Sequence, residues 1–217
     1  MIDYAAARET MVDCQVRPSD VTKYPIIDAL LTVPREEFVP ASKRDVAYVG
    51  EHIELGAGRV LLDPRTFAKM LDAVNIQRDD LVLDVGCGTG YSTAVIACLA
   101  EAVVGLEENP ELAAEATEYL AATGADNAMV VEGKLIEGAP KHGPYDVVFL
   151  EGAAEDIPKS LLDQLKPGGR IIAVRSEGIV GRAKVGHKHG GGVDWRAAFA
   201  ASAPLLEGFG AAREFTF

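Results

Sequence analysis

The sequence has few cysteines, a single tryptophan and no long apolar run among its 217 residues. Cys14, Cys87 and Cys98 are odd in number and widely spaced, which argues against a disulfide framework and against a CxxC metal site. We therefore expect a reducing, cytoplasmic compartment. No apolar stretch approaches the roughly 20 residues that a membrane helix needs, and the acidic start of the chain is unlike a secretory signal. We expect no membrane association.

Basic residues are outnumbered by acidic ones. Lys and Arg total 21 against 33 Asp and Glu, which gives a net charge of −12. A surface this acidic repels phosphate backbones on average, so no nucleic-acid partner is expected. The rest of the composition, 48% hydrophobic and 25% charged, is that of an ordinary globular protein, and the length suits one domain with a small appendage.

The pattern of the chain changes near residue 64. Residues 1–63 indicate an N-terminal helical extension and a substrate-side loop, whereas residues 64–217 begin with a helix at 64–74 and then alternate apolar strands with helices. This alternation predicts an α/β fold with a mostly parallel sheet, helices on both faces and an antiparallel C-terminal strand. The expected strands are 81–85, 102–107, 128–132, 145–151 and 169–176, and the expected helices are 91–100, 110–123 and 158–165.

The C-terminal part is less regular. The segment 178–187 predicts a strand, "GHKHGGG" at 186–192 a mobile loop, "DWRAAFAASAPLL" at 194–206 a helix, and 211–217 a last strand. His187 and His189 could suggest a metal site, but two histidines without a third ligand are more often solvated, so we expect no metal.

A glycine-rich turn follows the first strand of the alternation, in "LVLDVGCGTGYSTAV" at 81–95. In open parallel sheets, ligands bind beyond the carboxyl ends of the strands. Gly86, Gly88 and Gly90 permit positive φ and let a ligand approach without a Cβ in the way, and the helix that follows directs N–H groups towards it. The alternative interpretation is an ordinary tight turn beside an exposed Asp84.

The acids around this turn indicate which ligand it holds. The spacing is G-x-G-x-G, not the G-x-G-x-x-G of dinucleotide sites, and Asp84 would repel a pyrophosphate but could hold an ammonium. Glu107 and Glu108 end the next strand, where an acid can accept hydrogen bonds from ribose hydroxyls. The combination favours a cationic nucleoside without phosphate, such as S-adenosylmethionine.

Four segments together resemble the protein-L-isoaspartate O-methyltransferase family. They are "VPREEFVP" (33–40), "LGAGRVLLDP" (55–64), "VLDVGCGTGYSTAVIA" (82–97) and "PYDVVFLEGAAEDIPKSLLDQLKPGGRIIAV" (144–174). The resemblance, which covers about 29–174, implies a Rossmann-like class I methyltransferase fold with S-adenosylmethionine as cofactor. It also implies a protein-repair reaction in which the free carboxylate of a damaged aspartyl residue, on a protein or peptide, is methylated.

The sequence departs from the family's pattern in two places. The family's Thr-Ile-Ser-Gln-Pro run is Val60, Leu61, Leu62, Asp63, Pro64 here, so Leu62 stands where the family has a serine whose hydroxyl binds the substrate carboxylate. A Gly-Asp-Gly motif becomes Gly133, Lys134, Leu135, and Lys134 cannot accept a hydrogen bond from adenine as the family's Asp would.

The first departure bears on the acceptor. A carboxylate is ionised at neutral pH, so its methylation needs orientation and exclusion of water but no general base. Losing a hydroxyl donor worth roughly 1.5–3 kcal/mol would slow transfer about ten- to a hundredfold, and Asp63 would add repulsion if it faced the site. The alternatives are a cofactor-binding homologue without isoaspartyl activity and a transferase for another acceptor.

The remaining candidates complete the predicted site. Glu151 ends the fourth strand, where methyltransferases often line the acceptor site, and is a candidate active-site contact; the alternative is an exposed acid at the rim. Cys87 is expected to point away from the ligand, and Arg35–Glu37 is expected to be a solvated face. No catalytic side chain is assigned, and the substrate side is Val60, Leu61 and Leu62. The predicted cofactor-binding residues are Asp84, Gly86, Cys87, Gly88, Thr89, Gly90, Glu107, Glu108, Gly133, Lys134, Leu135 and Glu151.

Overall fold

A computed structural model describes residues 2–177 and 180–211. Short helical elements and one β-hairpin make up the part before Pro64. The hairpin pairs β1 with β2 in antiparallel fashion, with Ile53 opposite Leu61. The elements are α1 (Tyr4–Met11), a π-helical turn (Val12–Val16), 3₁₀ turns at Arg17–Ser19, Arg35–Phe38 and Ala41–Val46, α2 (Tyr24–Thr32), β1 (Ile53–Gly56) and β2 (Arg59–Leu61).

A seven-stranded sheet in the order β5-β4-β3-β6-β7-β8-β9 forms the centre of the molecule. The four pairings among β3 to β7 are parallel and the last two are antiparallel. The winding reverses between β3 and β6, which is where open α/β sheets bind ligands. The strands are β3 (Leu81–Val85), β4 (Ala102–Glu107), β5 (Ala128–Glu132), β6 (Tyr145–Ala154), β7 (Leu165–Glu177), β8 (Val180–His189) and β9 (Gly192–Ala200).

The helices of the α/β part begin and end at recognisable signals. In α3 (Pro64–Val74) the Asp63 side chain accepts from the Thr66 N–H, and in α5 (Pro110–Thr123) Asn109 caps the start and Gly124 ends the helix with φ of 72°. α4 (Tyr91–Ala97) and α6 (Lys159–Leu162) are shorter than predicted. None of the helices in the described ranges is long and apolar enough to cross a bilayer.

Alternation of side chains along the strands divides the core into two layers, one on each face of the sheet. Val82 and Phe149 pack on one face with the N-terminal helices, α3 and α4, whereas Leu83 and Leu150 pack on the other with Leu161. The N-terminal segment therefore shares its apolar core with the sheet. The mostly parallel α/β fold predicted from the sequence is confirmed.

Two predictions for the C-terminal part are wrong. The predicted helix at 194–206 is instead β9 followed by irregular chain, because pairing with β8 overrides the helix propensity of its alanines. The predicted loop at 186–192 is shorter, since His187 and His189 lie within β8. The strand expected at 178–187 corresponds to β8, and the strand expected at 211–217 lies almost wholly outside the described residues.

Candidate functional site

Three acids lie at the carboxyl ends of three adjacent parallel strands. Asp84 is on β3, Glu107 ends β4, and Glu151 is near the end of β6. All three are buried. All three side chains lie on the face of the sheet that carries α3 and α4. Side chains alternate between the two faces along a strand, and each acid is two or four residues from an apolar residue of that face. Those residues are Val82, Val103 and Phe149.

Asp84 is fully buried and only half satisfied. Its Oδ2 accepts hydrogen bonds of 2.6 Å from the hydroxyls of both Ser92 and Thr93, at the start of α4. Its Oδ1 has no partner among the described residues. Burial, with a smaller contribution from the nearby Glu107, raises the pKa of Asp84 to about 6, although the two hydroxyls act in the opposite direction. A buried carboxylate oxygen without a donor fits an incoming cation.

The glycine turn has the geometry that its sequence predicts. Gly86, Gly88 and Gly90 have φ of 80°, 56° and 91°, values that other residues rarely adopt. The Gly86 N–H donates to Leu106 O at 2.8 Å, which joins the turn to β4. A Cβ added at Gly88 would come within 2.7 Å of Leu55 Cδ1, so the end of the Leu55 side chain would have to shift.

Glu107 is the most fully bonded of the three acids. Its carboxylate accepts from the backbone N–H groups of Gly88, Glu108 and Asn109 at 2.9–3.0 Å. Arg59 Nε lies 3.1 Å from both of its oxygens, in an ion pair that is 4% and 0% exposed. Arg59 belongs to β2, so the hairpin is bound directly to the acid that was predicted to hold ribose.

Apolar side chains cover the glycine turn. Leu55 from β1 lies over Gly88, and Leu206 and Leu135 lie 3.3 and 3.6 Å from where a Cβ of Gly86 would be. Leu206 belongs to the irregular chain after β9, and its N–H donates to Ala153 O at 2.9 Å. A ligand above the turn therefore needs these side chains to move, and the same side chains would exclude water from it.

The other predicted cofactor residues differ in their positions. Thr89 is buried and its hydroxyl donates to Phe38 O at 2.5 Å, which joins "VPREEFVP" to the glycine turn. Cys87 is buried beside Gly105, with a thiol pKa raised by burial. Gly133 donates to Glu107 O at 3.0 Å, whereas the Lys134 side chain is 65% exposed and pairs with Glu137.

Glu151 lies where the pairing of β6 with β7 is irregular, because the register shifts between Phe149 and Ala153. Irregular pairing of this kind can redirect side chains near functional sites. The Glu151 side chain is buried, and its Oε1 has no partner in the described part of the chain. Burial raises the pKa of Glu151 well above its usual value, and Asp84 raises it further, while Arg35 acts in the opposite direction.

Arg35 is buried, so the prediction of a solvated face at Arg35–Glu37 is wrong for its first two residues. Arg35 is 1% exposed and Glu36 is 6% exposed. The Arg35 guanidinium donates to Ala47 O at 2.7 Å and to Leu62 O at 2.8 Å. Its central carbon lies 4.9 Å from the ring centroid of Tyr91, which follows the glycine turn. The 3₁₀ turn thus directs a cation inward, between the glycine turn and the substrate-side strand.

The predicted substrate side is mostly core. Leu61 and Leu62 are buried in the apolar cluster that includes α3, and Val60 is half-buried against it. Asp63 caps α3 with a 2.9 Å bond from Thr66 N–H, and a 2.9 Å bond joins its own N–H to His52 Nδ1. The concern that Asp63 repels an acceptor is weakened, because its carboxylate serves the helix.

Sequence reasoning missed several side chains of this site. Ser92 and Thr93 could have been found from their positions one turn beyond the glycines, where a hydroxyl can turn back to Asp84. Arg35 and Arg59 gave no such signal, since a charged residue in a turn or a short strand is ordinarily exposed. No cluster of three metal-ligating side chains occurs in the ranges that the structure describes.

The sheet order, the glycine turn and the acids beside it define a Rossmann-like methyltransferase domain. The chain belongs to the protein-L-isoaspartate(D-aspartate) O-methyltransferase family, whose model matches residues 7–193. It is 37% identical over 166 residues to the protein-L-isoaspartate O-methyltransferase of Methanoculleus marisnigri, with 76% of each chain covered. It is 37% identical over 169 residues to that of Koribacter versatilis, with 78% of this chain and 76% of the relative covered.

Solved structures agree on the fold. A protein-L-isoaspartate O-methyltransferase superimposes with a TM-score of 0.81 at 24% identity, covering 94% of this chain and 67% of the other. A Plasmodium falciparum structure described as a beta-aspartate methyltransferase in complex with S-adenosyl-L-homocysteine gives a TM-score of 0.79 at 18% identity, covering 95% and 99%. The family resemblance drawn from the sequence is confirmed by the family model and the curated relatives.

Proposed function

We propose that this protein transfers a methyl group from S-adenosylmethionine to the free carboxylate of isoaspartyl residues in proteins or peptides. Family membership supports the reaction, since the curated relatives carry this activity in their names. The observation that carries the cofactor assignment is the buried, unpartnered Oδ1 of Asp84 beside a turn in which glycine is required.

The residues present fit such a cofactor. Asp84 Oδ1 would accept from its ammonium, and Gly86 and Gly88 would let its body approach the backbone. Glu107 would take the ribose hydroxyls in place of Arg59 Nε, while retaining its three backbone donors. An adenine contact through Lys134 is not part of the proposal, because that side chain extends into solvent.

When bound, the cofactor supplies an electrophilic methyl group. The chain's own side chains supply orientation and dryness. Leu55, Leu135 and Leu206 would close over the glycine turn and exclude water, and the substrate carboxylate needs no base to make it nucleophilic. Arg35, which is hydrogen-bonded to the Leu62 carbonyl, adds a buried positive charge on the acceptor side.

The proposal includes a cytoplasmic location, supported by three cysteines that are all free. It also includes the division into an N-terminal extension, 1–63, and a cofactor-binding part, 64–217, which share one core. Glu108 and the Gly133–Leu135 segment are retained as neighbours of the cofactor because they adjoin Glu107 or the glycine turn.

The test is methyl ester formation on a peptide containing isoaspartate, followed by mass spectrometry. The same peptide with ordinary aspartate is the control. Esterification of the isoaspartyl peptide alone is the expected result. Binding of S-adenosylhomocysteine without esterification of either peptide would contradict the assigned acceptor and leave a transferase with another substrate. Absence of S-adenosylhomocysteine binding would contradict the whole proposal.

A further inference from the structure

The acceptor side of this site lacks a hydroxyl where the family resemblance would place one. Leu62 occupies the serine position, and its side chain is 2% exposed within the core. An acceptor carboxylate nevertheless needs a hydrogen-bond donor to fix which oxygen faces the methyl group. A buried polar side chain with an unpartnered oxygen lies near the carboxyl end of β6.

That side chain is Glu151. It is 5% exposed, and its Oε1 is buried without a partner among the described residues. It lies near the carboxyl end of β6, where the pairing with β7 is irregular, and Leu150 just before it pairs with Val85 of the strand that carries Asp84. Arg35 lies on the acceptor side, because its guanidinium donates to Leu62 O at 2.8 Å and lies over the ring of Tyr91, the first residue after the glycine turn.

We infer that Glu151 is the residue that positions the acceptor, donating an O–H hydrogen bond from its protonated carboxyl to one oxygen of the substrate carboxylate. The other oxygen of the substrate is then left to receive the methyl group. This inference rests on the proposed function and names the residue that determines its acceptor.

The surroundings of Glu151 favour the protonated form. Asp84 acts on it from β3 as a neighbouring acid, and Arg35 of the 3₁₀ turn acts on it as a cation. Tyr91 of α4 and Cys87 of the glycine turn are two further titratable groups that interact with it. An acceptor carboxylate adds a further negative charge, and two carboxylates in one buried site share a proton.

The charges balance without any movement of that proton. Transfer forms a carbon–oxygen bond and breaks a carbon–sulfur bond, so the substrate loses its negative charge and the sulfonium loses its positive one. Glu151 keeps its proton from beginning to end. It therefore acts by position, and a neutral side chain with an N–H donor should replace it.

The experiment compares Glu151→Gln, Glu151→Ala and the matched control Glu132→Gln, an exposed acid at the end of β5. We measure kcat/KM for an isoaspartyl peptide from pH 5.5 to 8.5, and the affinity for S-adenosylhomocysteine by calorimetry at the same pH values. In the native protein and the control, kcat/KM should fall as pH rises through the pKa of Glu151. Glu151→Gln should stay active without that fall, and Glu151→Ala should lose about ten- to a hundredfold.

Three results would overturn the inference. A kcat/KM that rises with pH, with Glu151→Gln inactive, would make Glu151 a general base. A more than tenfold loss of S-adenosylhomocysteine affinity in Glu151→Gln would make it a cofactor ligand. If Glu151→Ala has the same kcat/KM and the same pH dependence as the native protein, Glu151 only packs in the core and does not position the acceptor. A native protein that binds S-adenosylhomocysteine but never esterifies the peptide would instead contradict the proposed function.

Discussion

Replacing Arg59 with methionine should make the protein less stable and yet a better binder of S-adenosylhomocysteine. The guanidinium and Glu107 form a buried ion pair, with Nε 3.1 Å from both carboxylate oxygens. Breaking such a pair from one side costs about 3–5 kcal/mol. Because Glu107 keeps three backbone N–H donors, we expect the lower end, about 3 kcal/mol, which corresponds to a fall in Tm of roughly 6–12 °C.

The affinity should change in the opposite direction. If Glu107 binds the ribose as proposed, the ribose hydroxyls displace Arg59 from Glu107 in the native protein, and a charge-assisted hydrogen bond of this kind is worth about 1.5–3 kcal/mol. Arg59→Met removes that competition and keeps the aliphatic stem of the side chain. The dissociation constant for S-adenosylhomocysteine should therefore fall about ten- to a hundredfold.

Thermal unfolding and calorimetry measure the two effects on the same preparation. Arg17→Met is the matched control, because Arg17 pairs with Asp13 at 3.0 Å with side chains 49% and 67% exposed, and its loss should change stability by less than about 1 kcal/mol. An Arg59→Met protein that binds S-adenosylhomocysteine more weakly than the native protein would refute the competition and make Arg59 part of the ligand's own site.

At pH 7, Asp84→Asn should be more stable than the native protein by roughly 1–3 kcal/mol and have the higher Tm, but it should show no such gain at pH 4. The raised pKa of about 6 means that the native protein is stabilised while Asp84 is protonated and loses that stability as pH rises through 6. A Tm difference independent of pH would contradict this. Gly88→Ala should weaken S-adenosylhomocysteine binding and lower Tm, since φ is 56° and Leu55 lies 2.7 Å from the new Cβ. The control Gly124→Ala, with φ of 72° and open space, should lower Tm only. Equal S-adenosylhomocysteine affinities of the two variants would count against a ligand site at the tight turn. Leu62→Ser should lower Tm through loss of buried apolar volume costing about 2–4 kcal/mol, and should raise isoaspartyl methylation per folded molecule; unchanged methylation would show that residue 62 does not reach the acceptor.

The strands and helices whose ends are marked by nearby residues could be predicted from the sequence. The bounds of β3, β4, β5 and α5 agree with their predictions, because apolar runs, the Asn109 cap and Gly124 are local signals. The β9 strand could not be predicted, because its alanines favour a helix and only pairing with β8 makes it a strand.

The candidate site follows the same division. Asp84 and Glu107 could be placed because the ends of adjacent parallel strands meet at one edge of the sheet. Arg59 and Arg35 could not, since each reaches its partner across the fold: Arg59 is 48 residues from Glu107, and Arg35 is 27 residues from Leu62. Contacts between residues so far apart depend on how the N-terminal segment packs against the sheet. No local sequence pattern indicates that packing.

Calorimetry of S-adenosylhomocysteine against the native protein and Asp84→Asn, with NADH as the comparison ligand, tests the central claim most directly. If Asp84 holds the ammonium of a phosphate-free nucleoside over the glycine turn, the native protein binds S-adenosylhomocysteine and not NADH. Asp84→Asn, folded as judged by its Tm, should then bind at least tenfold more weakly. Binding of NADH, or equal S-adenosylhomocysteine affinity in the two proteins, would contradict the account.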